Sequence, residues 1–294
     1  MKTLLVPTDF SGHARAALSL AGRLAAPAEA SIFLLHVEEA AATPDPALDR
    51  ARRHREEASC AGDLAREIEA SDVPDVRVER VCLRAPGVPE AIVRYARTLR
   101  PDLIVMGTHG RGGIARLVLG SVAAEVLAQA PCDVLLVREG QAVDRIEQVL
   151  VPVALSDVTR SQLARAAEAS RLLGARMDVL YAIPPLAFPV SLTQIRTVYD
   201  LVPDLQERVR RRLRDLVSAA VGPDAPRWQV HVVDGPPDQA ILSFAEAAGS
   251  DLIVVGRREK SRLARFALGS VSERVARQAP CPVWVVHEDP EDTA

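Results

Sequence analysis

Two tandem α/β sandwiches, each built on a five-stranded, mainly parallel sheet, are the fold the 294-residue sequence predicts. Three observations predict it. Segments of the first half recur in the second, and short apolar runs alternate with longer alanine-rich stretches of helical period. Several of the runs are apolar at consecutive positions, the pattern of strands buried on both faces of a parallel sheet flanked by helices.

The recurrence is direct. "LLVPTDFS" (4–11) matches "VLVPVALS" (149–156), displaced by 145. "DLIVMG" (102–107) matches "DLIVVG" (251–256), and "LGSVAAEVLAQAPCDVLLV" (119–137) matches "LGSVSERVARQAPCPVWVV" (268–286), both displaced by 149. A drift of only four residues marks a duplicated domain. The join falls in the charged, non-periodic "REGQAVDRIEQ" (138–148), giving domains at 1–140 and 146–294.

In chain order, the first-half strands are "TLLVP" (3–7), "SIFLLHV" (31–37), "VRVERVCL" (76–83), "DLIVMG" (102–107) and "CDVLLV" (132–137), chosen by length and β-branched content. Alanine-rich helices lie between them. "GHARAALSLAGRLA" (12–25) follows Asp9 and Ser11, both residue types that cap helices, and "SVAAEVLAQA" (121–130) opens on Ser121. The second half repeats this order and adds a Pro-rich stretch, 184–205, read as a loop plus a short helix.

Composition excludes several functions. A formal net charge of −3 and 3% aromatic residues supply neither the electrostatic footprint nor the stacking platforms of a nucleic-acid binder. No apolar stretch approaches the roughly 20 residues of a membrane span, and the apolar run after Lys2 is too short for a signal peptide. A cytoplasmic protein without membrane contact is expected. The four cysteines, Cys60, Cys82, Cys132 and Cys281, show no CxxC spacing and no disulfide framework, so buried, reduced thiols are expected.

The chemistry concentrates in "GTHGRGGIARLVLGS" (107–121). In such sheets ligands bind beyond the carboxyl ends of the strands, and small residues leading into a helix start form an anion site. The phosphate-loop pattern GxxxxGK[ST] is absent, since no lysine precedes Ser121. A literal GxGxxG/A match, Gly110 to Ala115, sits after the wrong strand, and Asp133 begins the next strand where the dinucleotide motif wants an acid at its end.

The spacing Gly107-x2-Gly110-x9-Gly120-Ser121 resembles the ATP-binding signature G-x2-G-x9-G-[ST] of the universal stress protein family, and "VPTDFS", "GVPEAIVRYA" and "APCDVLLV" resemble that family too, in two copies spanning the chain. The resemblance implies a Rossmann-like fold of the adenine nucleotide alpha hydrolase type, binding ATP with Mg2+ on the phosphates. It places Asp9 at the adenine and ribose, Val37 against adenine through its backbone, and Pro7 and Met106 as apolar walls. Gly107 and Gly110 would line the ribose-phosphate path, with Gly120, Ser121 and Val122 at the phosphates. It also implies that the two final strands pair, with Trp284 near that seam. A further homodimer and an unidentified protein partner stay open.

The second copy departs from the pattern. Gly256, Gly269 and Ser270 survive, but Glu259 stands for Gly110 and Ala154 for Asp9. A carboxylate facing a phosphate repels it. Ser270-x-x-Glu273 reads as a capping box that would occupy the helix-start amides. One nucleotide per chain, in the first half, is therefore expected. The basic cluster Arg257, Arg258, Lys260, Arg262 and Arg265 reads as a solvated face or as a site for another anion or an acidic partner.

Only Arg111 and Arg116 are cationic near the first loop, and no lysine clamp or metal-holding aspartate is evident. The expectation is a nucleotide-binding stress or signalling protein, at most a slow ATPase; His109 reads first as an exposed loop histidine and second as a group that orients a water. The competing reading is a nucleotide-independent interaction scaffold.

Overall fold

The computed structural model describes residues 1–39, 46–109, 119–141, 145–156, 158–185, 198–200, 202–222, 224–257 and 269–287. The chain divides between Asp144 and Arg145 into two compact units.

The first unit follows the order β1 (Thr3–Thr8), α1 (Gly12–Ala28), β2 (Ser31–Glu39), α2 (Pro46–Ala70), β3 (Val78–Ala85), α3 (Val88–Leu99), β4 (Leu103–Gly107), α4 (Ser121–Gln129) and β5 (Asp133–Val137). Its strands lie in the order β3-β2-β1-β4-β5, every pairing parallel. β1, β4 and β5 are buried along nearly their whole length, as their unbroken apolar runs require, whereas β3 at the edge is mostly half-buried. α1 packs with α2 and α3 with α4 against the strands.

The second unit repeats this arrangement. It comprises β6 (Gln148–Pro152), α5 (Val158–Leu173), β7 (Arg176–Ile183), α6 (Leu205–Val221), β8 (Trp228–Asp234), α7 (Pro237–Ala248), β9 (Leu252–Gly256), α8 (Ser270–Gln278) and β10 (Val283–Val286). Its strands run β8-β7-β6-β9-β10, again parallel. In the Pro-rich stretch, Val198–Asp200 forms one 3-10 turn; residues 186–197 and 201 lie outside the described residues.

The duplication extends to backbone detail. Phe10 and Leu155, at equivalent places after β1 and β6, both adopt positive φ, 65° and 52°. A non-glycine residue in that region is strained, so the first strand-to-helix turn is over-determined in both copies. At the opposite end, the Asp102 carboxylate accepts the Lys2 and Thr3 amides at 2.6 and 2.9 Å, and Asp251 accepts those of Glu147 and Gln148 at 2.8 and 3.0 Å. These are the aspartates of the two "DLIV" segments, and they fasten β1 and β6 at their starts.

The cysteines correct the expectation of four reduced thiols. Cys60 on α2 and Cys82 on β3 form a disulfide, with Cα atoms 6.4 Å apart and a sequence separation of 22. Cys132 and Cys281 are not disulfide-bonded. Burial, with Asp133 and Asp102 nearby, pushes the Cys132 thiol up to about 12, so it stays protonated and inert at neutral pH. Thiol titration of the unfolded, unreduced chain is expected to find two thiols, and four after reduction; four at the outset would contradict the bond. Among the described residues no helix is long and apolar enough to cross a membrane.

Candidate functional site

The carboxyl ends of β1, β2 and β4 open into a cleft of about 470 Å³. Pro7 and Thr8 come from the end of β1, Asp9 from the turn that follows, Leu35, His36 and Val37 from β2, and Met106 and Gly107 from β4. Val88 and Ile92 of α3 form one wall, and Gly120, Ser121, Val122 and Ala123 close the far side at the start of α4. Eight of the nine residues expected at the site are thereby brought together: Pro7, Asp9, Val37, Met106, Gly107, Gly120, Ser121 and Val122. The ninth, Gly110, lies outside the described residues, as do Arg111 and Arg116.

Two glycines are explained by packing alone. A Cβ on Gly107 would lie 2.8 Å from the His13 Cβ and 3.0 and 3.1 Å from the His13 carbonyl carbon and the Ala14 nitrogen. On Gly120 it would lie 2.9 Å from the Thr108 carbonyl oxygen, which already accepts the Gly120 amide at 2.7 Å. The glycines let the β4 end meet the start of α1, and let Gly120 close onto the Thr108 carbonyl.

That closure aims a helix start at the cleft. Gly120 is the residue before α4 and no side chain caps it. The first intrahelical bond runs from Ala124 to the Gly120 carbonyl at 2.9 Å, so the amides of Ser121, Val122 and Ala123 have no intrahelical acceptor. With no acid in the first turn, the helix end is electropositive.

At the other end of the cleft Asp9 accepts the Ser11 amide at 3.1 Å, and Ser11 caps α1 by accepting the Ala14 amide at 3.2 Å. The cap therefore belongs to Ser11, while Asp9 lines the cleft. His36 Nδ1 lies 2.8 Å from the Thr8 carbonyl, which fixes the proton on Nδ1, and the ring packs on Phe10 with centroids 4.6 Å apart. His109 Nδ1 meets the Thr108 hydroxyl at 3.1 Å, and its ring lies 5.4 Å from that of His13, which is 3.6 Å from Glu139.

His36, Thr8, Val88 and Ile92 are lining residues the sequence did not single out. "GVPEAIVRYA" was the available signal for the last two: α3 is strongly amphipathic, and its apolar face had to cover a strand end.

The equivalent cleft of the second unit measures about 240 Å³ and is bounded by the matching residues Pro152, Ala154, Tyr181, Ala182, Val255, Gly256, Gly269, Ser270 and Val271. Two polar side chains occupy it where the first copy has Ala17 and Ala123. Gln162 Nε2 donates to the Pro152 and Val254 carbonyls at 2.7 and 2.8 Å, and the Ser272 hydroxyl donates to the Gly256 carbonyl at 2.9 Å.

The capping box expected at Ser270 and Glu273 does not form. Gly269 precedes α8 without a side-chain cap, and the Glu273 carboxylate instead accepts from Arg277 at 2.9 and 3.1 Å. A carboxylate four residues before an arginine on an exposed helix face takes the closer, charged partner. The α8 amides are thus as uncapped as those of α4, and the second cleft differs by filling and by the missing carboxylate at Ala154. Glu259 lies outside the described residues, as do Arg258, Lys260, Arg262 and Arg265. Arg257 is buried, with its guanidinium 3.3 Å from His287 Nδ1.

A larger cleft, about 780 Å³, opens at the strand starts of the second unit and holds Arg145, Arg171, Arg176 and Arg227. The carboxyl ends of α5 and α7 point there, so arginines at that rim offset helix-end carbonyls.

A family model described as the universal stress protein family matches residues 1–138 and 145–287. A universal stress protein of Thermus aquaticus is 37% identical over 143 residues, 47% of this chain and 98% of its own length. One of Mycobacterium bovis is 30% identical over 201 residues, 64% of this chain and 62% of its own. Among solved structures, a universal stress protein from Archaeoglobus fulgidus aligns with a TM-score of 0.71 at 21% identity over 98% of both chains, a likeness of fold.

Proposed function

The chain belongs to the universal stress protein family, as two successive copies of its domain, and from that premise we propose that the first copy binds one adenine nucleotide, ATP with Mg2+, in a stress-response role. The observation that carries this reading is the contrast between the two clefts. Small-molecule sites usually measure about 300–1,000 Å³; the first cleft, at about 470 Å³, is of that size and the second, at about 240 Å³, is below it.

Asp9 is suited to a ribose hydroxyl or the adenine edge, Val37 to adenine, and the Ser121 and Val122 amides to the phosphates. Among the described residues no group of three His, Cys, Asp or Glu side chains could hold a metal ion, so Mg2+ rides on the phosphates. No lysine or arginine is among the described lining residues. Without a cationic clamp phosphoryl transfer is poorly supported, so occupancy of the site, with slow turnover at most, is the signal. The second copy acts as a structural partner that carries no nucleotide.

Equilibrium MgATP binding tests this. One site per chain is expected, abolished by Gly110→Glu, which copies the Glu259 position into the first loop. No binding by the native chain would leave an interaction scaffold, and two sites would mean that Gln162 and Ser272 yield to the ligand.

A further inference from the structure

We infer that the Cys60–Cys82 disulfide is a reversible redox site that clamps α2 onto the sheet and thereby tunes the first cleft. The nucleotide readout rests on the function proposed above; the clamp does not.

The clamp follows from how little else holds α2 among its described side chains. Over its described side chains, 58–70, the buried positions are Cys60, Leu64 and Glu67, one face of a helix at spacings of four and three. Among these described side chains Leu64 is the single fully buried large apolar anchor. Glu67 is buried but ion-paired, 3.3 Å from an Arg15 whose side chain is 43% exposed, an arrangement that is weak evidence for stability. The third position is the disulfide sulfur. The equivalent helix α6 buries Leu213, Val217 and Val221 instead. It has no covalent link, and by strand register Val232 stands where Cys82 does. The second copy holds this helix by apolar packing and the first by a bond that chemistry can open, and the first is the copy with the wide cleft.

The link to the cleft runs through strand register. Cys82 pairs with His36 and Leu83 with Val37, and both partners line the cleft. β3 is an edge strand, paired only with β2 among the strands of its unit, so α2 is a main support of that edge. Releasing α2 loosens β3, then the β2 end that carries His36 against Phe10 and the Thr8 carbonyl.

The step uses a dithiol reductant. Its thiolate attacks the sulfur of Cys82, the more exposed partner, and Cys60 leaves as a thiolate that takes a proton. The second reductant thiol then closes on the mixed disulfide and frees Cys82. The reductant becomes a cyclic disulfide, and two electrons and two protons pass to the two cysteines. An oxidised dithiol runs the exchange backwards. Cys132 and Cys281 lie in the bends that precede β5 and β10 and do not compete.

The test compares native chain, oxidised and after dithiol reduction, by amide hydrogen exchange and by MgATP titration, alongside Cys60→Ser/Cys82→Ser. Reduction is expected to speed exchange in α2 and β3 about tenfold, with α6 and β8 unchanged, and to weaken MgATP roughly fivefold, the low end of coupling between linked sites. Reoxidation should restore both. The double variant should resemble the reduced chain and ignore reductant. Unchanged exchange in α2 on reduction overturns the clamp, and changed exchange with unchanged affinity overturns its coupling to the cleft. Absence of MgATP binding in both states sinks the nucleotide reading and leaves the clamp to be judged by exchange alone.

Discussion

A chain carrying Ala17→Gln with Ala123→Ser is expected to bind MgATP about a hundredfold more weakly than the native chain while unfolding within a few degrees of it. Both substitutions copy the second half, where Gln162 bridges the Pro152 and Val254 carbonyls and Ser272 reaches the Gly256 carbonyl. In the first half the same glutamine would reach the Pro7 and Val105 carbonyls, with its amide inside the cleft. Overpacking a filled space costs about 1–3 kcal/mol. Ala123 lines the cleft and Ala17 is fully buried, so the cost is shared between the free fold and the bound state, and about 1.4 kcal/mol is a factor of ten in affinity. Isothermal titration reads the affinity, and a thermal melt checks the fold. Retained affinity would show that filling is not what separates the two copies, leaving the Ala154 and Glu259 positions to account for the difference.

Much of this architecture was legible because it is written in local pattern. The runs "LIVM" and "LIVV" are apolar at every position because β4 and β9 are covered on both sides, and the repeat carried each assignment from one half to the other. Gly107 and Gly120 were legible as special positions because glycine spacing records where backbone segments must touch.

What escaped depends on which groups tertiary packing brings together. Cys60 and Cys82 lie on a helix and an edge strand whose adjacency exists only in the folded sheet, so no spacing rule flags them. Gln162 and Ser272 are ordinary residues in sequence; only their facing carbonyls make them plugs. The Ser270-x-x-Glu273 pattern misled because Arg277, one turn further on, offers Glu273 a charged partner. Asp9 and Ser11 were interchangeable as caps in sequence, and the geometry divides them, one to the helix and one to the cleft.

The remaining large effect concerns stability. Gly107→Ala is expected to destabilise the first unit by about 2–3 kcal/mol, the upper range for overpacking, and to lower its Tm by roughly 5–10 °C at about 2–4 °C per kcal/mol. The added methyl would meet the His13 carbonyl carbon and Ala14 nitrogen at 3.0 and 3.1 Å. Those are backbone atoms in the first turn of α1, so no rotamer change relieves the contact; the helix start itself must move. It is held by the Ser11 cap, and the Asp9 carboxylate accepts the Ser11 amide at the entry to that same turn. A shift there therefore reaches the cleft, and MgATP affinity should fall with stability. Gly62→Ala is the control of opposite sign: a Cβ there meets nothing within 4 Å, and alanine within α2 should stabilise by about 0.5–1 kcal/mol. If Gly107→Ala instead melted like the native chain and lost only nucleotide, the glycine would be there for the ligand, and the close approach of β4 to α1 would be a tolerance of the fold and not a requirement.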